Sequence, residues 1–295
     1  MVSKFKLSFS RINYQLYFAL LTLGLAPAVY TTVRVFFLGQ LPGDWSFSIA
    51  GQLTWVNLLY EILKEAIILP LFYFVGRVKN NKEEFSNRIR TGMLIALGVY
   101  AILSALVSIF AELMLKWMAT APSIIAASAS YIRIESIGNV FSILTQFALV
   151  ALVTVNKSKY LYVLTGARLI LNVLSDTFLV SALPVSTNLG VNGIGYSNII
   201  VNAILLAVSL ALLAKEKIKI FSKAKLDFLW TKEFVKIGGI SGLESLVRNV
   251  AYMVMIARMV NVVGEQGAYW VANNFICGWL LLPVLQLGEL IKQEV

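Results

Sequence analysis

Long apolar runs separated by short polar segments dominate this chain of 295 residues. Each run is long enough for a helix that crosses a bilayer, which needs about 20 apolar residues. The alternating segments of about ten residues that mark a membrane β-barrel are not seen. The predicted spans are Tyr14–Leu38, Ser48–Gly76, Thr91–Leu115, Ala126–Val155, Tyr160–Ala182, Gly193–Ala214, Ile240–Val263 and Ala268–Leu290. The pattern therefore predicts an all-α polytopic membrane protein with about eight spans.

The basic residues lie mainly between these runs and indicate how the chain is oriented. Eighteen of the 25 flank one set of connections, whereas only Lys116 lies on the other side. The positive-inside rule then predicts a cell-membrane protein with a cytoplasmic amino terminus. The same rule places the loop Lys215–Lys236 in the cytoplasm, where we expect a solvated linker, with contact to anionic lipid as the alternative. The net charge of +10 thus indicates membrane orientation and no nucleic-acid partner.

The residue types present exclude most catalytic chemistry. The chain has no histidine and a single cysteine, Cys277, which argues against zinc, haem and most transition-metal sites. No Ser-His-Asp, Cys-His or P-loop arrangement occurs. We therefore expect no enzyme and no cofactor apart from a coupling ion.

Three polar residues share one face of the fifth predicted span. Arg168, Asn172 and Asp176 recur every fourth residue, a spacing that drifts by only about 40° per step in a helix. Arg34 in the first span lies at a depth comparable with Asp176, so an ion pair between them is geometrically feasible. The alternatives are a salt bridge that only locks two helices together, and snorkelling of Arg34 to the headgroups.

A second charged group, Glu61, Lys64 and Glu65, lies near the middle of the second span. Residues three and four apart share a helix face. This group is expected to line an aqueous cavity or to pair with cations such as Arg168 or Arg133. Two neighbouring carboxylates would suit a proton carrier, whereas the alternative is a structural knot of ion pairs.

Three further charged pairs are expected to play smaller roles. Arg133 and Glu135 are two apart and should point to different faces of one helix. Local pairs are expected between Glu244 and Arg248 and between Glu112 and Lys116.

The run from Arg168 to Asp176, with the later segment Leu189-Gly-Val-Asn-Gly-Ile-Gly195, resembles the multidrug and toxic-compound extrusion (MATE) family. In that family an asparagine and an aspartate one turn apart lie in the fifth span, and a Gly-Val-x-Gly motif opens the sixth. The resemblance implies a sodium or proton site at Asn172 and Asp176, with Asn198 or its neighbour Ser197 as a further polar ligand.

One position departs from the family pattern. The family has an acidic residue in the first span, five before a glycine, and here Arg34 stands five before Gly39. The fixed charge of an arginine could take the place of the bound cation and pair with Asp176. The group Glu61, Lys64 and Glu65 would then be the alternative carrier.

A faint internal repeat at an offset of 221 aligns Gly51-Gln52 with Ala272-Asn273. It predicts a MATE-like bundle of two pseudo-repeated lobes, with the second incomplete. The predicted divisions are a six-span lobe at residues 1–214, a cytoplasmic linker at 215–237 and two spans of a second lobe at 238–295. Since the resemblance accounts for about two-thirds of a typical member, we expect the native chain to continue past Val295.

The resulting interpretation is a secondary transporter that exports amphipathic, cationic compounds by alternating access. Sodium or proton antiport would drive export, and the partners would be the small-molecule substrate and the bilayer. The predicted coupling-ion site is Asp176, Asn172, Asn198 and Arg34, and the predicted cavity network is Glu61, Lys64, Glu65 and Arg168. The alternatives are a flippase for a lipid-linked or anionic substrate and a truncated remnant that transports nothing.

Overall fold

A computed structural model describes residues 14–41, 45–157, 159–222 and 224–294. The helices within these ranges are α1 (Tyr14–Gly39), α2 (Ser46–Gly76), α3 (Lys82–Trp117), α4 (Ile125–Thr154), α5 (Lys159–Leu179), α6 (Val191–Lys215), α7 (Thr231–Tyr252), α8 (Arg258–Val262), α9 (Gln266–Phe275) and α10 (Leu282–Glu294). A π-helical turn, Met253–Ala257, joins α7 to α8, and a second, Ile276–Leu280, follows α9. No strand occurs in the described ranges, so the predicted all-α fold class is confirmed.

Eight helical rods match the eight predicted apolar runs to within a few residues at most boundaries. The larger difference is at α3 and α7, which each begin nine residues before the predicted span. Asn81 explains the early start of α3, because its Oδ1 accepts a hydrogen bond from the Glu84 amide and caps the helix.

Not all eight helical rods are both long enough and apolar enough to be assigned as membrane spans. Within the described residues, five helices are long and apolar enough to cross a membrane, and the α9–α10 pair, bent by 58°, makes a sixth. The two that fail are α2 and α5, which contain the charged and amide side chains discussed above. Polar residues lower the hydropathy of a span that faces the protein interior, so these two helices remain consistent with a multi-pass protein.

The outer face of α3 is more apolar than the surface of a water-soluble protein. Helix α3 exposes Ile102, Ile109 and Leu113, each more than 60% accessible, on the face away from its neighbours. The opposite face is buried and carries Tyr100 and Ser104, which reach α2 and α4 through hydrogen bonds. An apolar outer surface with hydrogen-bonded polar residues inside is what a bilayer requires.

Helix α4 lies at the centre of the bundle and packs against α2, α3 and α6. Helix α5 packs against α1 and α6, and the later helices lie against the first two, with α7 and α9 on α2 and α10 on α1. The cavity described below is bounded by α1, α2, α4, α5, α6 and α9.

The predicted solvated linker is partly wrong. Helix α7 already begins at Thr231, inside the predicted range 215–237, and the preceding loop packs on α3. Asn87 of α3 exchanges hydrogen bonds with Asp227, and the Trp230 indole donates to Thr91 Oγ1 at 3.0 Å. Burial of the Trp230 ring explains why this loop is held against the bundle. The division into two lobes and the internal repeat stay predictions.

Some predicted features lie outside the described residues. These are the basic residues Lys4, Lys6 and Arg11 near the start of the chain, and Lys223. Between α8 and α9 the chain turns at Gly264, whose φ of 77° is a conformation that favours glycine.

Candidate functional site

The centre of the site is an ion pair between α1 and α5. Arg34 Nε donates to Asp176 Oδ2 at 2.8 Å, and Arg34 Nη2 donates to Asp176 Oδ1 at 3.2 Å. Both side chains are buried, with 11% and 2% of their surfaces exposed. The pair judged feasible from the sequence is therefore present, and both carboxylate oxygens of Asp176 are engaged by a fixed positive charge.

Asn198 on α6 extends this pair to a second carboxylate. Its Oδ1 accepts a hydrogen bond from Arg34 Nη2 at 3.2 Å. Its Nδ2 donates to both oxygens of Glu135 on α4, at 2.8 and 2.9 Å. We call these four residues, Arg34, Asp176, Asn198 and Glu135, the central cluster. It joins four helices through one continuous set of hydrogen bonds.

A glycine on α6 allows α4 and α6 to approach closely enough for this contact. A Cβ added at Gly195 would lie 2.7 Å from Ile134 Cγ2, closer than Cβ atoms normally come to another side chain. On α4, a Cβ at Gly138 would make only ordinary contacts with Asn198 and Ile199, at 3.5–3.6 Å. Small residues at a helix contact bring the backbones together, and here Gly195 helps to bring Glu135 within reach of Asn198.

The choice between Ser197 and Asn198 is resolved by where each side chain lies. Ser197 is fully buried, and its Oγ has no hydrogen-bond partner among the described residues. Asn198 reaches Arg34 and Glu135 and lines a cavity. Of the two, only Asn198 belongs to the central cluster.

A cavity of about 280 Å³ adjoins the central cluster, and we call it the chamber. Arg34, Glu135 and Arg168 contribute its charged lining. Six asparagines also line it: Asn57, Asn139, Asn172, Asn198, Asn202 and Asn274. Asn274 and Trp270 come from α9, so the chamber lies between the predicted first lobe and the start of the second.

Arg168 lies on the chamber wall one helical turn from Asn172. Its Nη2 donates to Asn202 Oδ1 at 3.2 Å, and its backbone carbonyl accepts from Asn172 Nδ2 at 2.9 Å. The three-residue face predicted for α5 is thus divided in function. Asp176 pairs with Arg34, whereas Arg168 and Asn172 line the chamber.

Two of the three charged residues on α2 line a cavity, as one of the predicted alternatives expects. Lys64 Nζ pairs with Glu61 at 2.7 Å, and both residues line a second cavity of about 380 Å³. Glu65 instead pairs with Arg248 of α7 at 2.6 Å. Pairing with Arg168 or Arg133 is wrong, because Arg133 reaches Glu112 at 3.1 Å and Arg168 makes no ion pair within the described ranges.

The expected local pairs are only partly seen. Glu112 lies against Arg133 in place of Lys116. Arg248 approaches Glu244 at 3.9 Å but lies closer to Glu65.

The second cavity continues the chamber. Tyr30, Asn57, Asn139 and Ser142 line both. Gln146, which lies towards the predicted cytoplasmic end of α4, lines only the second. A polar surface therefore extends from the central cluster towards that end of the bundle.

An amide network lies at the predicted outer end, where α2 meets α8. Gln52 Nε2 donates to Asn261 Oδ1 at 2.8 Å, and Asn261 Nδ2 returns a hydrogen bond to Gln52 Oε1 at 3.1 Å. The same Gln52 oxygen accepts from Thr120 Oγ1 and Trp55 Nε1. All four polar groups are satisfied inside an apolar surrounding, so the network ties α2 to α8.

Two residues of the chamber wall, Glu135 and Asn202, are not among the residues that the sequence predicts for the site. Glu135 lies two residues from Arg133, and the two side chains point to different faces of α4, as predicted. Arg133 points outwards to Glu112, and Glu135 points inwards to Asn198. A lone carboxylate in an apolar span was the available signal. Asn202 had one too, since it lies four residues after Asn198 and hence on the same face of α6. The described residues hold no group of three or more Cys, Asp or Glu side chains arranged to bind a metal ion.

A family model and a solved structure both match this chain. No curated protein matches the chain significantly. A solved structure, protein A, is similar over 92% of this chain with a TM-score of 0.76 and 13% identity, which shows a shared fold. This chain spans 65% of the length of that structure. The MatE family model matches residues 78–178, and this match supports a transporter of the multidrug and toxic-compound extrusion family.

Proposed function

We propose that the chain forms a secondary transporter in which the chamber holds the exported compound and opens to each side of the membrane in turn. Three observations support this function. The MatE family model describes transporters, the chamber lies between the two predicted lobes, and its polar lining continues towards the predicted cytoplasmic end. Binding near the midplane between repeated halves is the arrangement expected of alternating access.

Protons, and not sodium, are the proposed coupling ions. The observation that carries this choice is the engagement of both Asp176 oxygens by Arg34. A guanidinium in that position supplies the charge that a sodium ion would bring and occupies a lone pair on each Asp176 oxygen, so binding of the metal there is disfavoured. Glu135 is the proposed proton carrier, because it is a buried carboxylate on the chamber wall whose described partner is the neutral amide of Asn198.

The exported compound has two candidate classes. The family resemblance implies an amphipathic cation. The alternative, a lipid-linked or otherwise anionic substrate, is favoured by the presence of Arg168 on the chamber wall with no carboxylate beside it. A remnant without transport activity is the remaining alternative, and the following test separates it from both.

The test needs no knowledge of the substrate, because it measures access to the chamber. Asn139 lines both cavities, so Asn139→Cys in a Cys277→Ser background places one thiol on the proposed path. A membrane-impermeant maleimide should label this thiol in intact cells and in inside-out vesicles. Ile109→Cys, on the outward apolar face of α3, is the matched control and should resist labelling from either side.

Coupling is tested with the same thiol. The ratio of labelling from the two sides should change between pH 6 and pH 8 and should be the same in sodium and potassium buffers. Glu135→Gln should remove the pH response, whereas Glu112→Gln, which alters an exposed carboxylate outside the chamber, should keep it. Labelling from one side only under all conditions would contradict alternating access, and a response to sodium that survives Glu135→Gln would contradict proton coupling.

A further inference from the structure

Arg168 is a cation on the chamber wall whose charge is not balanced by the described residues. Its guanidinium donates one hydrogen bond there, from Nη2 to Asn202 Oδ1, and makes no ion pair. A guanidinium has five N–H donors, and a charge enclosed within a membrane span is unfavourable unless it is paired. The site is therefore suited to an anion that enters from the chamber.

Two of the three carboxylates near the chamber are, by contrast, paired with a cation. Asp176 is held by Arg34, and Glu61, in the adjoining cavity, pairs with Lys64. Glu135 accepts hydrogen bonds from the neutral amide of Asn198 through both oxygens. A cationic compound would therefore find only Glu135 without a paired cation, whereas an anionic compound would find the guanidinium of Arg168 without an ion pair in the described part of the chain.

The neutral part of the lining points to a polar ligand. Six asparagines surround the space, together with side chains such as Tyr30 and Ser142. Each amide can donate and accept, which matches the hydroxyl groups of a sugar or polyol. A pocket for an apolar compound would instead be lined mainly by hydrophobic and aromatic side chains.

We propose that Arg168, together with the Nδ2 amide of Asn202, binds the phosphate or carboxylate of a hydroxylated substrate in the chamber. Asn202 lines the chamber and accepts from Arg168 through Oδ1, which leaves its Nδ2 available to donate to a ligand. Arginine suits this role because its planar fork matches the oxygens of phosphate and carboxylate. The inference rests on the chamber being the substrate site, and it departs from the cationic substrate that the resemblance implies.

The anion could be a lipid headgroup or a water-soluble compound, and one pair of probes separates the two. The purified chain is placed in phosphatidylcholine nanodiscs and titrated with myo-inositol 1-phosphate, or reconstituted with increasing phosphatidylinositol. Trp270 lines the chamber, so binding is followed by tryptophan fluorescence, and Trp270→Phe identifies the part of the signal that comes from it. Uncharged myo-inositol tests the need for the anion, and inorganic phosphate tests the need for hydroxyls.

The wild-type chain should respond to at least one of the two inositol phosphates and only weakly to myo-inositol. Arg168→Gln should weaken that binding about tenfold or more, since a charge-assisted hydrogen bond is lost. Arg133→Gln is the matched control, because Arg133 pairs with Glu112 outside the chamber and should leave binding unchanged. The responding arm identifies a lipid-borne or a soluble anion.

Asn202→Asp guards against a variant that merely fails to fold. It places a carboxylate beside Arg168 without removing the arginine, so the unfolding temperature should be kept or raised while anion binding is lost. Undiminished binding in both Arg168→Gln and Asn202→Asp would overturn the inference, as would no binding in either arm. If neither anion bound while ethidium changed Trp270 fluorescence equally in wild type and Arg168→Gln, the chamber would remain a substrate site but the anion would be rejected. If the maleimide labelled Asn139→Cys from neither side, the chamber would be rejected as the substrate site.

Discussion

Two ion pairs inside the bundle, Arg34–Asp176 and Lys64–Glu61, differ in almost every physical respect. Each pair has two hydrogen bonds, but the first joins helices whose residues are 142 positions apart and lies between buried groups. The second lies within one turn of α2, and its side chains are 37% and 40% exposed. The same chemical pairing is thus a tie between helices in one place and part of a cavity wall in the other.

The difference shows that a charged pair in a span is best interpreted from its surroundings. A buried pair loses the solvation of both ions, so removing one partner leaves an isolated charge in a poor environment. A pair beside a polar cavity keeps part of its solvation and gains little from the contact. We therefore expect the first pair to matter for stability and the second to be available for exchange with a ligand.

The largest expected effect is from Arg34→Gln, which would leave Asp176 charged, buried and without its cation. The free energy of unfolding should fall by about 3–5 kcal/mol, the range for removing one member of a buried pair. The measurement is unfolding by SDS titration in detergent micelles. The double variant Arg34→Leu with Asp176→Leu removes both charges and should recover much of this loss. If the single variant were as stable as wild type, the pair would not be the tie that its burial indicates.

Local features of this pair could be predicted from the sequence, whereas its partners could not. The spacing of Arg168, Asn172 and Asp176 fixed their common face, and helix rise placed Arg34 at a matching depth. The helices themselves followed from apolar runs, which explains the agreement for α1, α2 and α4. These regularities involve residues that are close together in one helix, so they can be recognised from the sequence alone.

Contacts between distant helices depend on which faces meet, and one sequence does not determine this. Glu135 reaches Asn198 where Gly195 lets α6 approach α4 closely. Glu65 finds Arg248 on α7 although it shares a helix face with Glu61. The sequence also does not predict that the loop before α7 docks on α3, because a basic segment is usually solvated.

An intermediate effect is expected from Gln52→Leu, which sharpens the comparison by testing burial without charge. Three donors from Trp55, Thr120 and Asn261 would lose their shared acceptor at the predicted outer end. Unfolding free energy should fall by about 1–3 kcal/mol, as for buried polar groups left without partners. Because α2 and α8 would be held together less firmly, the Asn139→Cys thiol should also be labelled faster from outside. Val56→Ala, a truncation of a buried α2 residue that lines neither cavity and leaves the network intact, is the control for a general loss of packing.

If labelling of the Asn139→Cys thiol from outside were unchanged in Gln52→Leu while stability fell as expected, the network would have only a structural role. Faster labelling in Val56→Ala to the same extent would show that any loosening of α2 opens the chamber. In either case the amide network would not be the contact that closes the outer side.

The smallest effect is expected from Lys64→Met, which breaks the exposed pair on α2. The methylene stem keeps most of the packing of lysine, and Glu61 stays in contact with the cavity. Unfolding free energy should change by about 0–1 kcal/mol, the range for partly solvated ion pairs. The same SDS titration measures it beside Arg34→Gln, so the ratio of the two losses tests the comparison directly. A loss for Lys64→Met as large as that for Arg34→Gln would mean that the α2 pair is a structural tie as well, and exposure would then fail as the property that separates the two pairs.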